Sequence, residues 1–491
     1  MQTIQGQHCL KSQFHIIHGN IHSTALCKLV LLVLLSLCSV ALSDIVKTLP
    51  GYKGDLPFKL ETGYVNVSVG KSDAVNLFYY FIESEGNPRE DPLMLWLTGG
   101  PGCSAFSGLV YEIGPLHFET ENFDGNFPTF VLNPYSWTEV ANIIFLDAPV
   151  GTGFSYANNW ESYVLDDQLS ATEIYNFLMI WLMDHPQFLS NDLYISGDSY
   201  SGLIVPNIVQ KIYVGNLEVG VEPLIKLKGY ILGNPLTHEH DDPNSRVEFA
   251  HRLALISDGL YESTKTNCHG EYLDVDPNNA PCIKDLQLVT NCLYNINLPN
   301  ILEPSCEFSS PHSTKLKYWD RSLIEENPLH FLLPPSQDRK LWCRVYNYVL
   351  SDIWANDERV QKALHIRKGS IEKWVRCNKT LSYNEDLLTS IEYHRNLSHT
   401  DLRSLIYSGD HDMAIPYVGT HKWIESLALP IDEDWRPWFV DGQVGGYTMK
   451  YVEKGFHLTF ATVKGAGHTA PEYKPKECLP MLQRWLAYYN L

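Results

Sequence analysis

Past Asp44, short apolar runs stopped by Gly or Pro alternate with stretches that place an apolar residue every three or four positions. Strand-like alternation covers Val75 to Ile82. Pro92 to Thr98 (PLMLWLT) is apolar throughout and ends in the turn Gly99-Gly100-Pro101-Gly102. Asn142 to Asp147 (NIIFLD) repeats the pattern, and Leu193-Tyr194-Ile195 enters a tight turn at Gly197 before a helical run from about Leu203 to Tyr213. Continuous apolar runs of this length read as buried parallel strands. Asp166 to Asp184 reads as a long helix, with Asp166, Asp167 and Glu173 near the end where the helix dipole favours negative charge. Strands alternating with helices predict an α/β fold, with a mostly parallel central sheet and helices on both faces.

From Pro235 to about Thr400 the periodicity loosens into short helical stretches among clustered Cys, Pro and Asn. Strand signals return at Leu402 to Tyr407, Thr448 to Val452 and His457 to Val463, and an amphipathic helix spans Lys476 to Tyr489. The simplest organisation is one core formed by 44–234 and 401–491, interrupted by an inserted cysteine-rich helical cap at 235–400. Repeats and low-complexity tracts are absent from the sequence.

Ahead of this core, LCKLVLLVLLSLCSV between Leu26 and Val40 is short for a membrane span, and a small-x-small site follows at Ala41-Leu42-Ser43. It reads as a signal peptide, residues 1–43, with an uncleaved anchor as the alternative. Its removal takes away three of the 11 cysteines and leaves eight: Cys103, Cys268, Cys282, Cys292, Cys306, Cys343, Cys377 and Cys478. An even number in a secretory chain favours disulfides. Sequons at Asn66, Asn378 and Asn396 agree with secretory passage. The formal charge of −20 becomes −22 without the leader, with 35 basic against 57 acidic residues. Such a field repels phosphate backbones and anionic lipid, which argues against nucleic-acid partners and, once the leader is gone, against a membrane surface.

Candidate chemistry sits on the strand ends. Tyr194 to Gly202 (YISGDSYSG) is a strand, a sharp turn and a helix with Ser199 at the apex, the geometry that lifts a serine oxygen clear of a sheet. It departs from G-x-S-x-G in that Ser201 takes the last Gly position. A serine hydroxyl needs a histidine to remove its proton, and the histidine needs a carboxylate to fix its tautomer. In an α/β-hydrolase these follow in the order Ser, acid, His. Asp410 and Asp412 both follow the strand ending at Tyr407, and His468 follows the last strand. Spacing alone leaves the two acids open. Attack also requires two backbone amides aimed at the developing oxyanion; Tyr200, next after the serine, and Gly100, in the Gly-rich turn, are the natural donors.

The blocks LWLTGGPGCS, DAPVGTGFSY, SGDSYSG, GNP, YSGDHDMAIP and GAGHTAPEY, in this order and over nearly all of the chain after the leader, resemble the serine carboxypeptidase family. The resemblance implies an α/β-hydrolase fold without cofactor or metal, Ser199 as nucleophile, Asp412 as the acid, His468 as the base, and Gly100 with Tyr200 as the oxyanion hole. The family contains peptidases and plant acyltransferases. Peptidases usually carry Asn in W-L-N-G-G and Glu in G-E-S-Y, which grip the peptide carboxylate; here the substrate-binding candidates are Thr98 and Asp198. A shortened grip leaves polar contacts unmet, at about 1 to 3 kcal/mol each. Thr469-Ala470-Pro471-Glu472-Tyr473, where peptidases usually show Glu-Val-Pro, also resembles the acyltransferase branch. The implied activity is acyl transfer from a 1-O-β-glucose ester to an acceptor alcohol, in the vacuole or outside the cell. The alternatives are a serine carboxypeptidase and, from another class, a catalytically silent binding protein.

Three features stay outside this chemistry. His238-Glu239-His240-Asp241-Asp242 has metal-ligand residue types, but adjacent loop residues seldom converge on one ion, so a solvated loop is expected. Arg246 is either a contact for a carboxylate on an acceptor such as malate or an ordinary surface or salt-bridged arginine. Ser305 to Lys317 is polar and Pro-flanked, which suits excision to two disulfide-linked chains, as in some relatives.

Overall fold

A computed structural model of the chain describes residues 42–68, 75–120, 123, 126–305 and 344–491. The leader expected at 1–43 and the excisable segment expected from Ser305 to Lys317 lie outside these, apart from Leu42, Ser43 and Ser305. Twelve strands form one sheet: β1 (Leu42–Val46), β2 (Leu60–Asn66), β3 (Val75–Ile82), β4 (Leu93–Leu97), β5 (Asn142–Leu146), β6 (Tyr156–Ala157), β7 (Leu193–Asp198), β8 (Leu227–Gly233), β9 (Arg403–Gly409), β10 (Ile431–Val440), β11 (Gln443–Glu453) and β12 (Phe456–Val463). Their spatial order is β1-β2-β3-β5-β4-β7-β8-β9-β12-β11-β10, with β6 paired onto β3. The six central strands, β5 through β12 in that order, run parallel. Both flanks are antiparallel.

The apolar runs read as strands because both faces of the centre are covered. Met94 and Trp96 of β4 enter one cluster while Leu95 and Leu97 enter the other, and Ile143 and Phe145 oppose Ile144 and Leu146 in the same way. One face is packed by α1 (Asp167–Asp184) and α2 (Ser201–Gly215) through Ile174, Phe177, Trp181, Leu203, Val205 and Ile208. Asp166 caps α1 by accepting from the Leu169 amide at 2.7 Å, a contact worth about 1 kcal/mol.

Between β8 and β9 lies the stretch expected as an inserted cap. Its first half contains α3 (Asp258–Cys268) and α4 (Ala280–Leu293) and builds a separate cluster from Val247, Phe249, Ile256, Tyr261 and Val289, which also takes in Met413 and Val418. The Cys268–Cys282 disulfide ties α3 to α4. Residues from 348 onward return to the main body: Leu350, Trp354 and Trp374 join the face opposite α1 and α2, where Trp354 stacks on Phe106 at 4.8 Å. The second disulfide, Cys103–Cys377, joins this returning stretch to the turn after β4. Cys292 and Cys478 form no disulfide among the described residues, and Cys306 and Cys343 lie outside them. After β9 come α5 (Tyr417–Ser426), on the α1 side through Trp423 and Ile424, and α6 (Pro475–Leu486), on the opposite face through Leu479, Leu482 and Trp485. Among the described residues no helix is long and apolar enough to cross a membrane.

Parallel pairing fixes where the site forms. Leu97, Gly197, Leu232, Ile406 and Phe460 are aligned across β4, β7, β8, β9 and β12. The loops that leave these strands therefore emerge along one edge of the sheet, the usual location of sites in such folds.

Candidate active site

Ser199 follows β7 with φ of 56°, the left-handed region that a side chain adopts only when its surroundings enforce it. Its backbone is held on both sides: the Ser199 amide donates to Gly233 O at 3.0 Å, and its carbonyl accepts from the Gly202 and Leu236 amides, each at 2.9 Å. Two glycines make room for the turn. A Cβ at Gly197 would stand 2.5 Å from Leu97 O, and one at Gly99 would stand 2.6 Å from Ser199 Cβ. Ser201, where a glycine was the commoner choice, fits because its hydroxyl turns inward and donates to Leu97 O at 3.0 Å.

The acid and base arrive from β9 and β12. His468 Nε2 lies 2.8 Å from Ser199 Oγ, and His468 Nδ1 lies 2.8 Å from Asp412 Oδ2. The other Asp412 oxygen accepts from the Ala414 amide at 2.7 Å. Asp410, the competing acid in the sequence, pairs instead with His411 and the Gly465 amide. Asp412 is fully buried, so its charge is poorly solvated and its field on the imidazole is strong. Burial disfavours a protonated His468, but the Asp412 charge and hydrogen bond, with the Asp198 charge behind them, outweigh it and hold the imidazole pKa above its ordinary value.

The sequence did not single out Asn234. It sits at φ of 42° directly after β8, donates to Asp412 Oδ2 at 2.8 Å, and accepts from the Gly409 amide at 3.2 Å. The block GNP carried the signal, but only the fold aims that amide at a carboxylate 178 residues away. Arg246, left undecided from sequence, clamps the acid loop: Nη2 donates to Ala414 O at 2.7 Å and Nε to Met413 O at 3.1 Å. The inserted region braces both loops a second time. Leu298 O accepts from the Met413 and Ala414 amides at 2.8 and 3.1 Å, and Pro299 O accepts from the His468 amide at 2.7 Å.

Beside the serine, a Cβ at Gly99 would stand 2.9 Å from the Tyr200 nitrogen, so the turn that carries Gly100 lies directly against the Ser199-Tyr200 peptide. Gly100, at φ of 130°, has no space for a side chain against the Gly102 and Cys103 amides. The Tyr200 ring is fixed from below, its hydroxyl donating to the buried Asp167 at 2.9 Å. Asp198 accepts from the Gly99 amide at 3.1 Å, and burial pushes its pKa up to about 6. Glu112, which the sequence reading passed over, is buried within reach of the Asp198 charge; burial, then the Asp198 and Glu472 charges, raise its pKa well above the ordinary carboxylate value. Glu112 Oε2 and Thr98 Oγ1 are buried and make no hydrogen bond among the described residues.

The His238 to Asp242 loop holds no metal constellation, and none occurs among the described residues. His240 pairs there with Asp241 and Glu271, while Asp242 turns inward to accept the Thr237 and His238 amides.

Comparison with known proteins agrees with the geometry. The family profile described as serine carboxypeptidase matches residues 50–488. Serine carboxypeptidase-like 2 of Arabidopsis thaliana is 48% identical over 455 residues, covering 93% of this chain and 95% of its own. Serine carboxypeptidase-like 1 of the same plant is 49% identical with the same coverage. Among solved structures, a prohormone-processing carboxypeptidase of Saccharomyces cerevisiae superposes with a TM-score of 0.66 over 88% of this chain and 91% of that one. At 19% identity this is a likeness of fold.

Proposed function

The chain belongs to the serine carboxypeptidase family, and on that premise we propose that it transfers an acyl group from a 1-O-β-glucose ester to an acceptor alcohol. Ser199 Oγ attacks the ester carbonyl as His468 Nε2 takes its proton, and the oxyanion is met by the Gly100 and Tyr200 amides. Collapse expels the anomeric oxygen of glucose, which takes the proton back from His468 and leaves an acyl-Ser199 ester. The acceptor hydroxyl then gives its proton to His468, attacks the acyl carbon, and releases Ser199 reprotonated. Asp412 stabilises the imidazolium in both halves.

One observation supports the choice of donor: the Thr98 hydroxyl is buried without a hydrogen bond among the described residues, next to the Gly99 amide that Asp198 accepts at 3.1 Å. A peptide carboxylate only accepts hydrogen bonds. A hydroxyl both donates and accepts and the Asp198 carboxylate accepts, which suits the hydroxyls of a sugar better than a second carboxylate. Secretory passage to vacuole or apoplast goes with this reading, supported by the apolar run before Ser43 and the two disulfides.

The test sets purified enzyme against a panel of acyl-glucoses with acceptor alcohols, beside blocked dipeptides. Ester product that requires both donor and acceptor is expected. Rapid dipeptide cleavage without ester product makes the chain a carboxypeptidase, and failure of a fluorophosphonate to label Ser199 leaves a silent binding protein.

A further inference from the structure

An open groove of about 490 Å³ runs between α1, α2 and the short helix Ile391–Leu397, on the helical face and away from Ser199. Its lining is polar and aromatic, with Gln168, Tyr175, Asn207, Gln210 and Tyr393 among the residues. The floor is pre-ordered: Asn207 donates to Gln168 at 3.0 Å, and Gln168 donates to the Tyr393 hydroxyl at 3.1 Å. Half-buried rings set among fixed amides match the mixed apolar and hydroxyl faces of a sugar better than they match a purely apolar ligand.

The sequon at Asn396 lies beside this groove, against its lining residue Gln210. Asn396 is exposed, and its side-chain nitrogen, the atom that would carry a glycan, lies 3.2 Å from Gln210 Oε1. The other two sequons are half-buried, and their side chains are engaged by neighbouring residues. Asn378 spends its amide on Gly151 O at 2.9 Å and its carbonyl on Thr380, next to the Cys103–Cys377 disulfide. Asn66 lies within β2, its amide turned to Asn76 and its carbonyl to Ser68.

We propose that Asn396 carries an N-linked oligosaccharide whose first sugars lie in the groove against Tyr175 and Tyr393. The anomeric carbon of an oligosaccharide carried on a lipid pyrophosphate bonds to the Asn396 nitrogen, one amide proton and the lipid pyrophosphate depart, and the remaining N–H can still donate to Gln210. This rests on secretory passage and not on the choice between acyl transfer and peptide cleavage. A sugar seated against the face that α1 and α2 share would shield it from other chains.

The full chain is produced in a eukaryotic secretory host behind the host's own secretion signal, so the behaviour of the natural leader does not bear on the result. Release by a peptide N-glycosidase in heavy-oxygen water, followed by peptide mass spectrometry, reads occupancy at each sequon. High occupancy at Asn396 is expected, and its absence overturns the proposal. Seating is read as the rate of glycan release from the folded protein. Tyr393→Ala and Tyr175→Ala are each expected to quicken release by up to about tenfold, the upper end of what one aromatic contact is worth. Fluorophosphonate labelling of Ser199 checks that each variant has folded. Equal release rates in wild type and both folded variants overturn the groove.

Discussion

Gly99→Ala isolates the close approach of the β4 turn to the serine. Gly99 has an ordinary φ, so the substitution brings no backbone strain, only a methyl group 2.6 Å from Ser199 Cβ and 2.9 Å from the Tyr200 nitrogen. Carbon contacts normally sit at about 3.5 to 4.0 Å, so one loop must move by about 1 Å. A displacement of that size at a reacting group costs about 100-fold in rate, or about 2.7 kcal/mol of barrier. The same overlap costs about 1 to 3 kcal/mol of stability. The expected outcome is a loss of kcat/KM near two orders of magnitude with a folded protein. Gly259→Ala in α3, where nothing lies within 4 Å, is the control: unchanged activity and stability higher by up to about 1 kcal/mol. The measurements are steady-state kinetics on whichever acyl donor turns over and thermal melting of all three proteins. A Gly99→Ala enzyme within threefold of wild type would refute the claim that this turn is set by contact with the nucleophile.

Three further outcomes follow from buried polar contacts. Asn234→Ala removes a donor from Asp412 and leaves the Gly409 amide without its acceptor, so kcat should fall about 10- to 100-fold and stability by about 1 to 3 kcal/mol, read by kinetics and denaturant melts. Asp198→Asn deletes a negative charge that favours protonated His468; the base then loses its proton more readily, and the acid limb of the kcat profile should move to lower pH. Glu61, buried against His185 at 2.8 Å, has its pKa lowered: burial opposes ionisation, but the His185 contact and charge overcome it. A depressed pKa adds stability above the unfolded value near 4.5, which is lost as pH falls through the folded one, so Glu61→Gln should cost ~3 kcal/mol near neutrality and progressively less in acid, measured by melts across pH.

The sequence was most legible where a residue's job is local. The runs at Pro92 to Thr98 and Asn142 to Asp147 became β4 and β5 nearly as read, and Asp166 to Asp184 lost only its first residue, to a capping role. Strand ends carry Ser199, Asp412 and His468 because parallel register aligns them; motif order pointed to Ser199, His468 and the pair Asp410 and Asp412, and the family resemblance chose Asp412. The hairpin of β10 and β11 was half missed: Ile431 to Val440 carries Asp432, Glu433, Asp434 and Pro437 on a sheet edge, where burial no longer imposes an apolar pattern. Asn234 and Glu112 were invisible as site residues because their partners lie on remote loops and nothing in their neighbourhoods marks the direction of a side chain. The carbonyls of Met413 and Ala414 that Arg246 grips were not legible from sequence, because they lie on a loop 167 and 168 residues away.

The carbonyls of Leu298 and Pro299 have a bearing on how such enzymes diversify. A lid that only covered substrate could be exchanged wholesale for another. Here a two-residue keystone in the insertion touches the supports of acid and base alike, so a graft that replaces it disturbs turnover along with selectivity. New preferences are more safely sought in the flanking helices, with splice points kept clear of 298–301.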